Sequence, residues 1–245
     1  MPFTFSHPAI ILPLRYLPKK WFSLTALIIG SLTPDFEYFL RMKVKSTYSH
    51  TLDGIFWFDL PFALLLTFIF HNLIRNLLFQ NLPVVIKNRI LLFIDFNWNN
   101  YFKKNWPIVI ISLLIGIFSH IFWDAFTHKH GYFVNQFAIF QNTILLFGVE
   151  TPFWKIAQHT STVIGIILIL FAFFKLPKTF YLKTSTDKLY WSNVILLTTT
   201  ILSIRFILSP SALNIGNLVV TSIASFLLAT TIAPVIIKFK SNSKK

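Results

Sequence analysis

Long apolar segments alternate with short polar connections along most of the 245-residue chain. A transmembrane α-helix needs about 20 consecutive, mostly apolar residues to cross a hydrocarbon layer roughly 30 Å thick. Five segments reach that length, and each predicts a spanning helix: Gly54–Ile74, Trp106–Thr127, Ile156–Phe174, Tyr190–Leu208 and Ile215–Ile237. The pattern therefore predicts an all-α fold, a polytopic transmembrane helical bundle.

Two other apolar segments are too short to span. The first, Trp21–Phe36, loses its apolar character at Pro34-Asp35, and proline disfavours helix for the residue before it. We expect a half-helix that packs on the bundle without crossing the membrane. The second, Phe137–Trp154, is expected to lie partly in the membrane interface.

The connection between the first two predicted spans mixes basic and large apolar residues from Asn81 to Asn105. Pro83 suits the first turn of a helix, and Lys87 and Arg89 are interleaved with Ile and Leu. This pattern predicts an amphipathic helix that lies on the membrane surface.

Composition supports one integral membrane domain over residues 1–245. The chain is 55% hydrophobic and only 12% charged, whereas soluble domains carry about 25% charged residues. Residues 1–53 would hold the half-helix, and 54–128 the first two spans with the surface helix. Residues 156–237 would hold the last three spans, and 238–245 a basic tail.

The formal charge of +14 comes mainly from Lys and Arg in the connections. The basic residues of the connections divide between the two membrane faces, with eight on one face and thirteen on the other. The positive-inside rule places the second face, with the C-terminus, in the cytoplasm. No nucleic-acid-binding motif is present, so a nucleic-acid partner is not expected.

Histidine and aspartate concentrate at the face with fewer basic residues, which would lie outside the cytoplasm. Three of them, His120, Asp124 and His128, are spaced four residues apart at the end of the second span. Such residues advance about 40° per step, so they form one stripe on a helix. The candidate site residues at this face are His7, Asp35, His50, His120, Asp124, His128 and His159.

This chemistry favours a divalent metal ion. The chain contains no cysteine, so any ligands must be nitrogen and oxygen atoms. A His and an Asp four residues apart on a helix can bind the same ion. The alternatives are local and need no metal. Asp124 and His128 can simply pair with each other as a structural bond, and Asp35 can act as a helix cap.

Four stretches, "MPFTFSHPAIILPL", "GSLTPDFEYFLR", "YSHT" and "FSHIFWDAFTHKHGYF", resemble an uncharacterised bacterial membrane family, domain of unknown function 4184. The resemblance covers essentially the whole chain. That family is similar to predicted membrane-bound metal-dependent hydrolases. The order of the polar motifs is also similar to that of zinc-dependent phospholipase C and P1-type nucleases.

The second resemblance implies that four residues of this chain are the ligands of one zinc ion: Asp35, His50, His120 and Asp124. Asp124 would bridge to a second ion near His7. His128 and His159 would hold a further one. Val163 departs from the pattern, because those enzymes have Glu four residues after the last His. One or two zinc ions are therefore expected.

These observations predict a metal-dependent hydrolase in the bacterial cytoplasmic membrane, with phosphoesters or lipid head groups as substrates. Membrane lipid is the expected partner, and the oligomeric state is left open. Two alternatives remain at this stage. One is an ion- or proton-conducting protein that uses the His/Asp cluster, and the other is a scaffold with a structural metal.

Overall fold

The computed structural model describes residues 3–18, 20–179, 188–209 and 214–242. They form an all-α fold with one small two-stranded sheet. The helices, in chain order, are α1 (Pro8–Ile11), α2 (Leu24–Leu32), α3 (Phe36–Arg41), α4 (Leu52–Gly54), α5 (Leu60–Ile69), α6 (Arg75–Asn81), α7 (Val84–Ile90), α8 (Trp98–Thr127), α9 (Tyr132–Gln136), α10 (Phe153–Phe174), α11 (Lys188–Leu208) and α12 (Ile215–Asn242).

The predicted polytopic bundle is confirmed. Among the described residues, five helical segments are long and apolar enough to cross a membrane: Leu52–Asn81, Trp98–Gln136, Phe153–Phe174, Lys188–Leu208 and Ile215–Phe239. The first of these is not uniform, because π-helical turns at Ile55–Asp59 and Phe70–Ile74 interrupt α4, α5 and α6. The long helix α8 bends at Asn105, where Pro107 cannot complete the helical hydrogen-bond pattern.

The chain divides into two compact units. Unit 1 comprises Met1–Asp35, Tyr48–Leu64 and Asn105–Lys175; unit 2 comprises Phe36–Thr47, Leu65–Lys104 and Leu176–Lys245. The single membrane domain over residues 1–245 stays a prediction.

The predicted half-helix is α2. Its nine residues extend about 13–14 Å at 1.5 Å per residue, which is too short to cross the membrane. Ser23 begins the helix, because its side chain accepts a hydrogen bond from the backbone N–H of Ala26. The helix ends at Leu32, where Thr33–Asp35 forms a 3₁₀ turn.

Within unit 1, α2 packs closely against α8 through two glycines. A Cβ atom on Gly30 would collide with the carbonyl of Leu113, and one on Gly116 would lie 2.5 Å from the carbonyl oxygen of Leu27. Small residues allow helix backbones to approach in this way. The contact brings the end of α2 beside the middle of α8.

Unit 2 has its core between α11 and α12. Tyr190 and Val194 pack on Ala229 and Ala233, whose small side chains permit close helix packing. Nearer the N-terminus of α12, Val220 and Ala224 pack with Phe39 of α3.

The segment predicted as one amphipathic surface helix is instead broken. It forms α7, a 3₁₀ turn at Leu91–Phe93 and an irregular stretch before α8. The guanidinium of Arg75 donates hydrogen bonds to the carbonyls of Ile94 (2.9 Å) and Phe96 (2.6 Å). A continuous helix would need those carbonyls for its own pattern. Lys87 and Arg89, moreover, are buried and do not form an exposed basic stripe.

The segment expected at the interface contains the sheet. Strands β1 (Thr143–Leu146) and β2 (Val149–Pro152) pair antiparallel, with Leu146 opposite Val149. Phe147 and Gly148 form the turn, and both have positive φ, 51° and 79°. The sequence interpretation did not include this hairpin.

Candidate metal centre

Asp35 lies at the end of the 3₁₀ turn that follows α2, and its side chain is fully buried. The hydroxyl of Thr4 donates a 2.6 Å hydrogen bond to Oδ2 of Asp35. Such a bond fixes the orientation of a carboxylate that ligates a metal. It leaves Oδ1 facing the imidazoles of His50 and His120.

His120 and Asp124 lie one turn apart on α8, and both are buried. The Nδ1–H of His120 donates a 2.7 Å hydrogen bond to the backbone carbonyl of Ser31. In the neutral ring with its proton on Nδ1, the lone pair is on Nε2, which points toward the two carboxylates. Metal-ligating histidines are commonly held by such a bond from their other ring nitrogen.

His50 reaches the same point from the turn before α4. Its backbone has a φ of 64°, a left-handed conformation that is uncommon for histidine. The hydroxyl oxygen of Ser49 lies 3.1 Å from Nδ1 of His50. The side chain of His50 is 19% exposed and that of His128 is 29% exposed. The cluster therefore lies closest to the surface beside these two residues, although Nε2 of each ring is itself buried.

Four ligand atoms converge, one from each of Asp35, His50, His120 and Asp124, and all lie within 4.8 Å of one another. Nε2 of His50 is 3.6 Å from Oδ1 of Asp35 and 3.4 Å from Oδ2 of Asp124. Nε2 of His120 is 3.5 Å and 3.3 Å from the same two oxygens. These distances exceed the roughly 2.7–2.9 Å of a direct charged hydrogen bond.

The nitrogen–oxygen distances suit ligands of one shared ion. Two ligand atoms that each lie about 2.0–2.1 Å from a tetrahedral zinc ion are about 3.3–3.4 Å apart. The four nitrogen–oxygen distances, 3.3–3.6 Å, are close to that value. The donor set of two imidazoles and two carboxylates suits several divalent ions, zinc among them.

Several buried polar atoms at this point lack hydrogen bonds. Among the described residues they include Oδ1 of Asp35, Nε2 of His120 and both carboxylate oxygens of Asp124. Burying such atoms without a partner is costly, and a buried carboxylate needs a cation nearby. A metal ion coordinated by these atoms would remove that cost. The cluster is therefore able to bind a divalent cation.

His7 and His128 flank the second oxygen of Asp124. Nε2 of His7 lies 3.5 Å from Oδ1 of Asp124, and its ring stacks on that of His120 at 3.7 Å. Nδ1 of His128 lies 3.5 Å from the same oxygen and 3.1 Å from the backbone carbonyl of Asp124. Both histidines thus border the cluster of four.

The structure does not bring His159 into this group. Its side chain is exposed on α10, and the group of four described residues does not include it. Its neighbour Gln158 is the residue that turns inward, where its amide donates a 3.1 Å hydrogen bond to the carbonyl of Thr127. The implied role of His159 as a metal ligand therefore lacks geometric support.

Outside the spanning helices, the electrostatics favour the ligand-ready forms of His7 and Asp35 and the protonated form of His50. Burial, together with the neighbouring His120, lowers the pKa of His7 to about 3, so this imidazole stays neutral. Burial alone would raise the pKa of Asp35, but the adjacent His120 and His50 bring it below its ordinary value. For His50, burial acts to lower the pKa, but the carboxylates of Asp124 and Asp35, 3.4 Å and 3.6 Å from Nε2, raise it above its ordinary value.

Sequence reasoning missed the groups that orient the ligands. Thr4 lies three residues before His7, and no spacing rule connects its hydroxyl with Asp35. The backbone carbonyl of Ser31 leaves no trace in the sequence, because every residue has one. A polar residue within an apolar stretch, such as Ser31 in "LIIGSLTPDF", is the only available signal.

No curated protein and no solved structure matches this chain. One family model does match it, over residues 1–235, and its description is "Domain of unknown function (DUF4184)". The match covers the half-helix, the five spans up to residue 235 and every residue of the cluster. The chain therefore belongs to the family of the domain of unknown function DUF4184.

Proposed function

We propose that this protein is a membrane-bound, metal-dependent hydrolase. Its substrates would be phosphoesters, including those in lipid head groups. The observation that carries the proposal is the convergence of Asp35, His50, His120 and Asp124 at distances that suit the ligands of one divalent ion. A cluster formed by residues at the end of a spanning helix, with the partly exposed side chains of His50 and His128 beside it, suits a substrate held at head-group depth.

Each residue has a part in this proposal. Thr4 holds the carboxylate of Asp35, and the carbonyl of Ser31 holds His120, so the ligand atoms stay in place without the ion. Asp124 has a second oxygen, 3.5 Å from His7, that would serve a second ion. Zinc bound here would lower the pKa of a coordinated water to about 7 and polarise a phosphoryl oxygen.

A structural metal site is the second candidate, because the number of ligands favours it. Structural zinc sites are usually closed by four protein ligands, whereas catalytic sites keep one position for water. The cluster supplies four ligand atoms. Hydrolysis here would need either a fifth coordination position on the solvent side, near His50 and His128, or the second ion beside His7.

An activity assay separates the two candidates. Purified protein would be reconstituted with zinc and given phosphatidylglycerol vesicles or bis-p-nitrophenyl phosphate. We expect zinc-dependent phosphoester cleavage that is lost in His120→Ala and Asp124→Asn. His159→Ala is the matched control, since this histidine lies outside the cluster, and it should retain activity. Zinc binding without any cleavage would support the structural site instead.

We also propose that the metal cluster faces the outside of the bacterial cytoplasmic membrane and that the C-terminus is cytoplasmic. The basis is the division of basic residues, eight against thirteen, under the positive-inside rule. Reporter fusions after Lys245 and in the connection between Lys129 and Lys155 would test this. A cytoplasmic signal from that connection would reverse the orientation.

A further inference from the structure

The β1–β2 hairpin lies between two spanning segments and has an unusually apolar tip. Leu145 is 67% exposed, Phe147 103% and Val149 63%. In a water-soluble loop, side chains of this size are normally covered, and a contiguous exposed group marks an interaction surface. We propose that this tip, residues 145–149, inserts into the lipid leaflet beside the bundle.

The hairpin is polar at one end and apolar at the other. Thr143 pairs with Pro152, and Ile144 pairs with Thr151, at the base. Leu146 pairs with Val149 next to the turn. Glu150, opposite Leu145, is the charged residue nearest the tip, and burial of its carboxylate in hydrocarbon would be costly. The chemistry therefore limits insertion into hydrocarbon to the turn and the Leu146–Val149 pair, with Leu145 and Glu150 at the level of the head groups.

The position of the hairpin in the chain keeps it at the membrane surface. Its last residue, Pro152, directly precedes the spanning helix α10. The backbone N–H of Phe153 donates a 3.0 Å hydrogen bond to the carbonyl of Asn142, which closes the base of the hairpin. Four residues of strand extend only about 13 Å, and the head-group region is about 5–8 Å thick on each side. The tip is thus within reach of the leaflet.

The segment that precedes the hairpin is held by contacts near the end of the preceding span. The ring of Phe126 on α8 stacks on Phe133 of α9 at 4.1 Å. The amide of Gln141 donates a 3.0 Å hydrogen bond to the carbonyl of Val134. The hairpin is therefore connected at both ends to spanning segments of unit 1. The lipid that surrounds those segments would extend to the hairpin.

The turn itself is unusual for a hairpin exposed to water. Two-residue turns with positive φ at both positions strongly favour Asn-Gly or Asp-Gly. Gly148 fits this rule, but Phe147 occupies the first position with a φ of 51°. A bulky residue in this conformation is strained, and Asn would relieve the strain. Phe147 brings instead a large apolar ring to the outermost point of the hairpin, which suits contact with lipid.

Depth measurement by site-directed spin labelling tests the proposal, because the chain has no native cysteine. Phe147→Cys and Val149→Cys would each carry a nitroxide, with Thr151→Cys at the base as the matched control. The proteins would be reconstituted in phosphatidylglycerol and phosphatidylethanolamine vesicles. Collisions with molecular oxygen, which concentrates in lipid, would be compared with those of a water-soluble nickel chelate.

Insertion predicts that labels at 147 and 149 collide more with oxygen and less with the nickel chelate than the label at 151. Equal access of all three labels to the nickel chelate would overturn the proposal. Spin–spin broadening between labels at 147 that disappears on dilution with unlabelled protein would also overturn it, because a second copy would then cover the tip. Metal binding and hydrolysis do not enter this measurement, so its outcome is independent of the proposed function.

Discussion

The backbone carbonyl of Ser31 accepts a 2.7 Å hydrogen bond from Nδ1 of His120, and this bond joins the half-helix α2 to the spanning helix α8. The bond sets the tautomer of His120 and directs Nε2 toward Asp35 and Asp124. The packing of two apolar helices therefore determines the geometry of a polar cluster. A change in the distance between these helices should alter metal binding without touching a ligand.

Gly116→Ala tests this connection. The added Cβ would lie 2.5 Å from the carbonyl oxygen of Leu27 and 2.7 Å from the backbone nitrogen of Ser31. Overpacking of this kind costs about 1–3 kcal/mol, and relief of the clash moves Ser31 away from His120. We expect a lower melting temperature in detergent and weaker zinc binding. Phe118→Leu, on the exposed side of the same helix, is the control; equal zinc affinity in both variants would contradict the account.

Thr4→Val tests the bond that orients Asp35. Loss of the 2.6 Å hydrogen bond to Oδ2 frees the carboxylate to rotate and leaves a buried oxygen without a donor. Loss of such a supporting bond typically reduces metal affinity about 10–100-fold. The matched control is Thr33→Val, because Thr33 is also buried near Asp35 but donates to the carbonyl of Ile29. Isothermal titration with zinc should separate the two variants, and identical affinities would refute the role of Thr4.

The sequence predicted the spans well because their signal is local. Twenty consecutive apolar residues suffice to identify a spanning helix, and α10 to α12 begin within three residues of their predicted starts. The break between α7 and α8 was not predictable in this way. It depends on Arg75, which binds the carbonyls of Ile94 and Phe96 from a different helix, and a local pattern does not contain that contact.

In the candidate site, too, a local sequence pattern identified some of the residues, and tertiary packing determined the rest. The spacing of His120 and Asp124 was sufficient to place both on one helix face, whereas Asp35 and His50 were assigned through family resemblance and membrane side. Membrane side and the same resemblance also selected His159, which the structure places outside the cluster. Two residues on the same side of a membrane can be far apart, and only packing decides which of them meet.

Metal affinity should increase with pH. Burial acts to lower the pKa of His50, but the nearby carboxylates of Asp124 and Asp35 raise it above the ordinary value of 6.5. The metal-free protein therefore retains a proton on His50 above pH 6.5, and a metal ion must displace it. Asp35, whose pKa is lowered, stays ionised and adds no dependence in this range.

Displacement of one proton strengthens binding about tenfold per pH unit up to the pKa of His50, above which the dependence disappears. Zinc titrations between about pH 6.5 and 8 in two buffers of different ionisation enthalpy would measure the number of protons released. His159→Ala should show the same slope as the unmodified protein. Affinity that does not change with pH over this interval would contradict the assignment of His50 as a ligand.

The central claim is that Asp35, His50, His120 and Asp124 form a metal site, and metal analysis of purified protein tests it most directly. Protein purified in detergent and exposed to zinc, then freed of excess ion, should contain at least one zinc ion per chain by mass spectrometry of the metal. His120→Ala and Asp124→Asn should lose it while they keep the helical circular dichroism signal, and His159→Ala should keep both. Full zinc occupancy in His120→Ala and Asp124→Asn would contradict the account.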